Sequence, residues 1–180
     1  MDRTELAFAV AKVSRLHGEF RLRSGVVATE YFDKYRFEAD PALLRAITDS
    51  LVNLVPPATD ALAGLELGGV PLATALSLRT GLPAVFVRKR PKEYGTCRLA
   101  EGGDIAGRRL LVVEDVVTSG GQVLASCEDL RRLGATVHHA LCVIDRQESG
   151  AEALRAAGIE LRALLLKSDL ERVEAGRAVS

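Results

Sequence analysis

Residues 110–122 read LLVVEDVVTSGGQ, and this stretch decides the fold. Its first four residues are apolar without a polar break, which is typical of a strand buried on both faces, as in a parallel sheet. Two carboxylates, Glu114 and Asp115, follow where such a strand should emerge. Small residues come next at 118–121, and an apolar pattern with helical spacing begins at Val123. We therefore predict a strand, a tight turn and a helix in direct succession.

The turn between this strand and this helix has the composition of an anion site. Its free N–H groups and the positive end of the helix dipole would point at one spot. The hydroxyls of Thr118 and Ser119 could donate to a phosphate or cap the helix. Neither the string G-x-x-x-x-G-K-[ST] nor the dinucleotide fingerprint G-x-G-x-x-G occurs in the chain, so those two phosphate-binding classes are not indicated.

The acids that directly precede the turn suggest which phosphate it would bind. Glu114 and Asp115 could accept hydrogen bonds from a vicinal diol while the turn holds a phosphate on the same molecule. That combination describes a ribose 5-phosphate. The plainer alternative is a buried strand that ends in two solvated acids, followed by a Ser-Gly helix cap.

This order of acids and small residues resembles the phosphoribosyl pyrophosphate signature of the type I phosphoribosyltransferases. In that family the acids hold the ribose hydroxyls and the small-residue loop holds the 5-phosphate. The resemblance implies an α/β fold with a central parallel sheet, flanking helices and a small N-terminal hood. It assigns phosphoribosyl pyrophosphate binding to Glu114, Asp115, Val116, Val117, Thr118, Ser119, Gly120, Gly121 and Gln122.

Length and composition indicate one globular domain. The 180 residues suffice for a sizeable core, and 48% apolar with 27% charged residues is ordinary for a soluble chain. The formal net charge of zero gives no reason to expect a nucleic-acid or membrane partner. No apolar run approaches the roughly 18 residues of a membrane span, and the N-terminus lacks a signal-peptide pattern. Because Cys97, Cys127 and Cys142 form no C-x-x-C pair, we expect reduced thiols in a cytoplasmic protein.

Strands and helices alternate regularly from Pro41 onward, which predicts a parallel sheet with right-handed crossovers. Ligands of such sheets bind at the carboxyl ends of the strands. We treat residues 1–180 as a single domain with a hood mainly at 1–40 and a core at 41–180. The expected helices cover 2–17, 41–55, 72–80, the segment after the small-residue turn as far as 133, and 151–157. The expected strands cover 20–22, 26–28, 61–67, 84–87, 109–114, 136–144 and 161–166.

Aromatic residues are concentrated near the N-terminus, where five of the eight fall between positions 20 and 37. They could form a small aromatic core, or a lid whose rings face a planar ligand. The pattern F-x-L-R-S-G at 20–25, with the aromatic pair Tyr31 and Phe32 after it, resembles the hood of orotate phosphoribosyltransferases. The resemblance places Arg23 against the pyrimidine. Many members have Lys at this position, and Arg keeps the charge but changes the geometry.

Residues 88–92, RKRPK, contain four cations in five positions and begin a loop that runs to Gly107. Loops of this length in a compact domain are often lids. A solvated surface loop and a nucleic-acid patch are the alternatives, but one short basic segment in a neutral chain fits neither well. The segment resembles the catalytic loop of orotate phosphoribosyltransferases, which reaches the neighbouring subunit's active site. The resemblance assigns diphosphate binding to Arg88, Lys89, Lys92 and Tyr94.

The chain departs from the family pattern in two places, the basic loop and the turn after the first core strand. Tyr94 stands where several members have His, so no proton transfer is assigned to it. Gly68 and Gly69 follow the first core strand and form either a simple turn or a backbone approach to an anion, because glycine permits close approach. In the family this turn contacts diphosphate, and some members have a Lys there. Leu67 precedes the two glycines here, so no side-chain ammonium is expected from this turn.

The motif D-R-Q-E at 145–148 follows the strand expected to end at residue 144. Its Arg146 could form an ordinary surface ion pair, or it could pair bidentately with a substrate carboxylate. The motif resembles the orotate contact of orotate phosphoribosyltransferases. On that resemblance we assign orotate binding to Arg146 together with Arg23 and Thr118. This motif separates an orotate site from a purine site better than the ribose loop does, because all type I members share that loop.

The resemblance implies transfer of the phosphoribosyl group from phosphoribosyl pyrophosphate to orotate in UMP biosynthesis, giving orotidine 5′-monophosphate and pyrophosphate. Lys89, Lys92 and Asp115 would be catalytic. Mg²⁺ would enter mainly on the substrate diphosphate, with no metal held by the protein alone. A homodimer with shared active sites is expected. Two alternatives remain: a type I transferase for another base, and a regulator that binds phosphoribosyl pyrophosphate without turnover, against which the intact basic loop argues.

Overall fold

The computed structural model describes residues 1–21, 25–91, 95 and 98–176. Its helices are α1 (Arg3–Ser14), α2 (Tyr35–Ala39), α3 (Pro41–Leu51), α4 (Gly69–Thr80), α5 (Gly121–Arg132), α6 (Gly150–Ala156) and α7 (Lys167–Ala175). Its strands are β1 (Arg15–Arg21), β2 (Val27–Phe32), β3 (Ala61–Leu65), β4 (Ala84–Val87), β5 (Ala100–Glu101), β6 (Arg109–Val117), β7 (Thr136–Asp145) and β8 (Glu160–Leu166). Within these ranges no helix is long and apolar enough to cross a membrane.

A six-stranded sheet in the order β5-β4-β3-β6-β7-β8 forms the centre of the molecule. All neighbouring strands are parallel except β5, which runs antiparallel to β4. Alternate residues of β6 enter different cores, because successive side chains of a strand point to opposite faces. Leu111 and Val113 pack with α1, α3 and α4, whereas Leu110 and Val112 pack with α5 and α6. The predicted parallel α/β sheet is therefore confirmed, with β6 buried on both faces.

The hood is a separate two-stranded antiparallel sheet made of β1 and β2. The rings of Phe20 and Tyr31 stack across it with centroids 5.6 Å apart. The prediction that the first helix extends to residue 17 is wrong: Leu16 and His17 lie in β1, opposite Tyr31 and Glu30. Pairing with β2 therefore outweighs the local helical pattern. The predicted strands at 20–22 and 26–28 overlap the ends of these longer strands, except that residues 22–24 lie outside the described ranges.

Several boundaries in the core differ from the predicted ones for identifiable reasons. Helix α3 stops at Leu51 and gives way to a 3-10 turn, Val52–Leu54, ahead of Pro56, where a helix cannot readily continue. Helix α4 begins at Gly69, three residues before the predicted start, because Pro71 is tolerated in the first helical turn. Three elements were not predicted: the short helix α2 after the hood, the short strand β5 inside the long loop, and the C-terminal helix α7.

Candidate active site

The acid pair lies within β6 and does not follow it. We expected the strand to end at Glu114, but its pairing with β7 continues to Val117, which lies opposite Asp145. Glu114 and Asp115 are consequently buried, and Asp115 is fully so. The backbone N–H of Asp115 donates to Glu114 Oε1 at 3.0 Å, and the N–H of Val116 donates to Asp115 Oδ1. The plainer alternative, in which the strand ends in two solvated acids, is therefore wrong.

Lys34, between the hood and α2, neutralises the buried Asp115. Its Nζ lies 2.9 Å from Oδ1 and 2.7 Å from Oδ2 of that carboxylate. The same ammonium lies 5.4 Å from the centroid of the Tyr35 ring, which is within cation–π range. Burial opposes the charge of Lys34, but the hydrogen bond and attraction from Asp115 outweigh it and raise the pKa of the lysine. Lys34 was not among the predicted site residues.

Two further carboxyls near Asp115 have raised pKa values. Burial is the largest cause for both, and the hydrogen bonding and negative charge of Asp115 add to it. The pKa of Glu38 in α2 rises to about 9, and that of Glu114 rises to about 8. Both shifts favour the protonated, neutral form of the side chain. Glu38 was not predicted as a site residue either. The one available signal was its position four residues after Lys34, because side chains at this spacing lie on the same face of a helix.

The small-residue loop lies immediately beyond the acids. Gly120 has φ 77°, a left-handed conformation that favours glycine, and α5 begins at the next residue. A Cβ on Gly120 would approach atoms of Gly150 to 3.1 Å, so the loop packs closely on the start of α6. The side chains of Thr118, Ser119 and Gln122 are exposed. The loop thus offers two hydroxyls and a helix N-terminus to an anion, as predicted for this stretch.

The turn before α4 approaches the acids from the neighbouring strand. A Cβ on Gly68 would lie only 1.6 Å from Oδ2 of Asp115, and a Cβ on Gly69 would lie 2.1 Å from the carbonyl oxygen of Val113. Both positions therefore need glycine for close packing. The turn lies beside Asp115, as a diphosphate-contacting turn would have to.

Arg146 is fixed at the end of β7, next to the same loop. The backbone N–H of Arg146 donates to the carbonyl oxygen of Val117 at 2.9 Å. The next residue, Gln147, adopts φ 55°. The Nε atom of Arg146 is buried and has no hydrogen-bond partner among the described residues. Because a buried donor is costly without a partner, this guanidinium is suited to an incoming anion.

A cavity of about 380 Å³ lies between the hood and the carboxyl end of β7. Tyr31 and Phe32 line it from the hood, Ile144 and Arg146 from β7 and its extension, and Lys167 from the start of α7. Arg15, Glu30, Leu170 and Glu171 complete the lining, so the cavity carries charges of both signs. Its aromatic rings and the Arg146 guanidinium are the groups that would suit a planar anion. None of residues 114–122 lines it, so the cavity adjoins the ribose loop without including it.

The basic segment begins at the carboxyl end of β4, which is the same edge of the sheet. The N–H of Lys89 donates to Glu66 Oε2 at 3.0 Å, and its side chain is exposed. The Nε of Arg88 is buried without a hydrogen-bond partner in the described part of the chain. Three other predicted site residues lie outside the described residues: Arg23, Lys92 and Tyr94.

The comparisons with known proteins agree with this arrangement. Residues 36–157 match the family model of the phosphoribosyl transferase domain. An orotate phosphoribosyltransferase of Nocardioides sp. is 54% identical over 172 residues, which are 95% of this chain and 96% of that protein. The crystal structure of Mycobacterium tuberculosis orotate phosphoribosyltransferase in complex with Fe(III) dicitrate has a TM-score of 0.85 and 35% identity, and the match covers 94% of this chain and 99% of that one.

A second structure of the Mycobacterium tuberculosis enzyme contains 5-phospho-α-D-ribosyl 1-diphosphate. It matches with a TM-score of 0.81 and 32% identity over 95% of this chain and 99% of that one. The family model spans more than half of the chain, and the relatives match along nearly their full length. The chain therefore belongs to the phosphoribosyltransferase family, and within it to the orotate phosphoribosyltransferases.

Proposed function

We propose that this chain transfers the phosphoribosyl group of phosphoribosyl pyrophosphate to orotate, forming orotidine 5′-monophosphate and pyrophosphate in UMP biosynthesis. The observation that carries the proposal is the meeting of three features at one sheet edge. These are the acids Glu114 and Asp115, the exposed loop at 118–122, and Arg146 bonded to the end of β6. Full-length similarity to proteins named for this activity supports the same conclusion.

The loop and the acids would bind the phosphoribosyl part of the substrate. The exposed hydroxyls of Thr118 and Ser119 and the N-terminus of α5 suit the 5-phosphate, because the helix end presents unpaired N–H groups and a positive dipole. Glu114 and Asp115 would accept hydrogen bonds from the two ribose hydroxyls. Since both acids are buried without substrate, binding requires the groups that cover them to move aside.

Orotate would bind in the cavity under the hood. Its carboxylate matches the guanidinium of Arg146, whose Nε lacks a hydrogen-bond partner among the described residues. The rings of Tyr31 and Phe32 line the same cavity and could pack against the pyrimidine. Arg23 and Thr118 remain predicted contacts of the base, and Arg23 lies outside the described residues.

The chemistry would rest on positioning and on stabilisation of negative charge. N1 of orotate attacks C1 of the ribose as an anion, and the bond from C1 to the diphosphate breaks, so no strong general base is needed. The transition state would resemble an oxocarbenium ion, as in glycoside hydrolysis. Arg88, Lys89, Lys92 and Tyr94 would surround the leaving pyrophosphate, and Lys89 and Lys92 would stabilise its growing charge.

Mg²⁺ would arrive as part of the substrate, bound to its diphosphate. Among the described residues, no group of three or more His, Cys, Asp or Glu side chains is arranged to hold a metal ion. A cation carried by the diphosphate would help to neutralise that group as it leaves.

We further propose a homodimer in which the basic loop of one subunit completes the active site of the other. The exposed side chain of Lys89 at the start of that loop is compatible with such a contact. We place the enzyme in the cytoplasm, where free cysteines such as Cys127 and Cys142 stay reduced. Small anionic substrates, and neither nucleic acid nor membrane, are the proposed partners.

The test is an assay of the purified protein with phosphoribosyl pyrophosphate, Mg²⁺ and a panel of bases that includes orotate, uracil, adenine and hypoxanthine. We expect orotidine 5′-monophosphate and pyrophosphate in equal amounts with orotate, and negligible product with the other bases. Turnover of a different base would identify a transferase for that base. Binding of phosphoribosyl pyrophosphate without turnover of any base would identify a regulator.

A further inference from the structure

Lys34 donates to Oδ1 of Asp115 and lies against Oδ2, which has no hydrogen-bond partner among the described residues. Its Nζ is 2.9 Å from Oδ1 and 2.7 Å from Oδ2 of Asp115. The N–H of Val116 also donates to Oδ1, and Gly68 packs directly against Oδ2. Asp115 is fully buried, whereas the side chain of Lys34 is 35% exposed. A ligand that approaches from solvent therefore meets the ammonium before it meets the carboxylate.

The released ammonium would need another anion once Asp115 binds a diol. Lys34 is half-buried, and the interaction with Asp115 is what outweighs the cost of burying its charge and raises its pKa. The ring of Tyr35 offers a cation–π contact, which is weaker than a buried ion pair. Glu38 and Glu114 are poor replacements, because burial and the nearby Asp115 raise the pKa values of both carboxyls and favour their neutral forms.

The substrate has a suitable anion at the required place. In phosphoribosyl pyrophosphate the diphosphate is on C1, next to the carbon with the 2-hydroxyl. A cation displaced from the acid that binds this hydroxyl is therefore adjacent to the diphosphate. The turn at 66–69, which packs on Asp115, consists of Glu66, Leu67, Gly68 and Gly69 and has no cation of its own.

We propose that Lys34 is a further substrate-binding residue: its ammonium leaves Asp115 to the ribose hydroxyls and binds the diphosphate of phosphoribosyl pyrophosphate. The proposal rests on the proposed function and deepens it. The exchange leaves neither group without a polar partner, because Asp115 gains hydrogen bonds from the ribose hydroxyls and Lys34 gains phosphate oxygens. It also explains why a group assigned to the ribose is inaccessible in the protein without substrate.

The test compares two ligands that share the diol and the 5-phosphate but differ in the diphosphate. Phosphoribosyl pyrophosphate and ribose 5-phosphate are titrated calorimetrically, both with Mg²⁺, into the wild-type protein and the Lys34→Met variant. We expect the variant to bind phosphoribosyl pyrophosphate about ten- to a hundredfold more weakly. Ribose 5-phosphate should bind at least as tightly as to the wild type, because its diol no longer displaces an ammonium. The matched control, Lys12→Met on the exposed side of α1, should leave both affinities unchanged.

Two results would overturn the proposal. Wild-type affinity of the Lys34→Met variant for phosphoribosyl pyrophosphate would show that Lys34 does not reach the diphosphate. Equal losses for both ligands would show that Lys34 only holds Asp115 in place. If the wild-type protein binds both ligands but does not convert orotate, the assignment of orotate as substrate is refuted. The affinities of the two ligands would still test the role of Lys34.

A second pair of variants keeps the proposal testable if Lys34→Met does not fold. Asp115→Asn removes the charge that Lys34 compensates, so the double variant with Lys34→Met no longer buries an unpaired carboxylate. We expect the double variant to bind phosphoribosyl pyrophosphate about tenfold or more weakly than Asp115→Asn alone. Equal affinities of these two proteins would contradict the exchange.

Discussion

Replacement of Gly68 by alanine should expel the Asp115 carboxylate from its position. The added Cβ would lie 1.6 Å from Oδ2, 2.3 Å from Cγ and 2.9 Å from Cβ of Asp115. The backbone at Gly68, with φ −65° and ψ −29°, is one that alanine adopts readily, so the cost comes from this collision alone. Asp115 cannot move away freely, because it is fully buried and held by Lys34 and by the N–H of Val116.

Overpacking of this kind costs about 1–3 kcal/mol of the free energy of unfolding. In a domain of this size that lowers the melting temperature by roughly 3–10 °C. The affinity for phosphoribosyl pyrophosphate should fall about ten- to a hundredfold, because a displaced carboxylate no longer accepts from the ribose hydroxyls. Differential scanning calorimetry measures the first effect, and isothermal titration calorimetry the second.

Two variants separate the collision from a general effect on the turn. Leu67→Ala alters the neighbouring residue, which is 58% exposed, and should change neither quantity appreciably. Combining Gly68→Ala with Asp115→Ala removes the two closest collisions, with Oδ2 and Cγ, and leaves only the contact with Cβ at 2.9 Å. The double variant should therefore be more stable than the sum of the single losses predicts, while its affinity stays low. Wild-type melting and wild-type affinity in Gly68→Ala would refute the packing of this turn on Asp115.

Three other perturbations address the base, the assembly and the buried acids. Arg146→Ala should raise the Michaelis constant for orotate about ten- to a hundredfold while phosphoribosyl pyrophosphate still binds, and unchanged orotate kinetics would remove Arg146 from the base site. Lys89→Ala and Asp115→Asn homodimers should each be nearly inactive, but subunit exchange should restore about a quarter of wild-type activity, because half of the dimers are mixed and each has one intact site of two. No recovery, with exchange verified by mass spectrometry, would place Lys89 in its own subunit's site. The pKa of Glu38 is raised from 4.5 to about 9, so protonation of this side chain stabilises the folded protein. That stabilisation is fully present below pH 4.5 and is lost as the pH rises through about 9. The melting temperature of Glu38→Gln relative to wild type should therefore increase from pH 5 to pH 9, and a constant difference would contradict the raised pKa.

The sheet could be predicted from sequence because its signals are local. The unbroken apolar run in β6 and the glycines of the loop after it depend on neighbouring residues only, and both expected elements are present. The exact end of β6 could not be predicted, because it depends on how far β7 pairs alongside it. That pairing buries Glu114 and Asp115, which contradicts the alternative of two solvated acids at the strand's end.

The residues next to the Asp115 carboxylate were not predicted, for a related reason. Lys34 and Glu38 are about 80 residues away from Asp115 in the sequence, and only the tertiary fold, in which α2 packs against α1 and α3, brings them together. Nothing in the local pattern around Lys34 distinguishes it from an exposed surface lysine. The close approach of Gly68 to Asp115 is likewise a contact between two strands' ends, which composition alone does not reveal.

A crystal structure of the protein with orotidine 5′-monophosphate tests the central claim most directly. The account predicts the 5′-phosphate at the N–H groups and hydroxyls of residues 118–122, the ribose hydroxyls within hydrogen-bond distance of Glu114 or Asp115, and the pyrimidine carboxylate paired with Arg146. A nucleotide bound elsewhere on the protein would contradict the site. A nucleotide whose phosphate lies in the loop but whose carboxylate makes no contact with Arg146 would contradict the assignment of orotate.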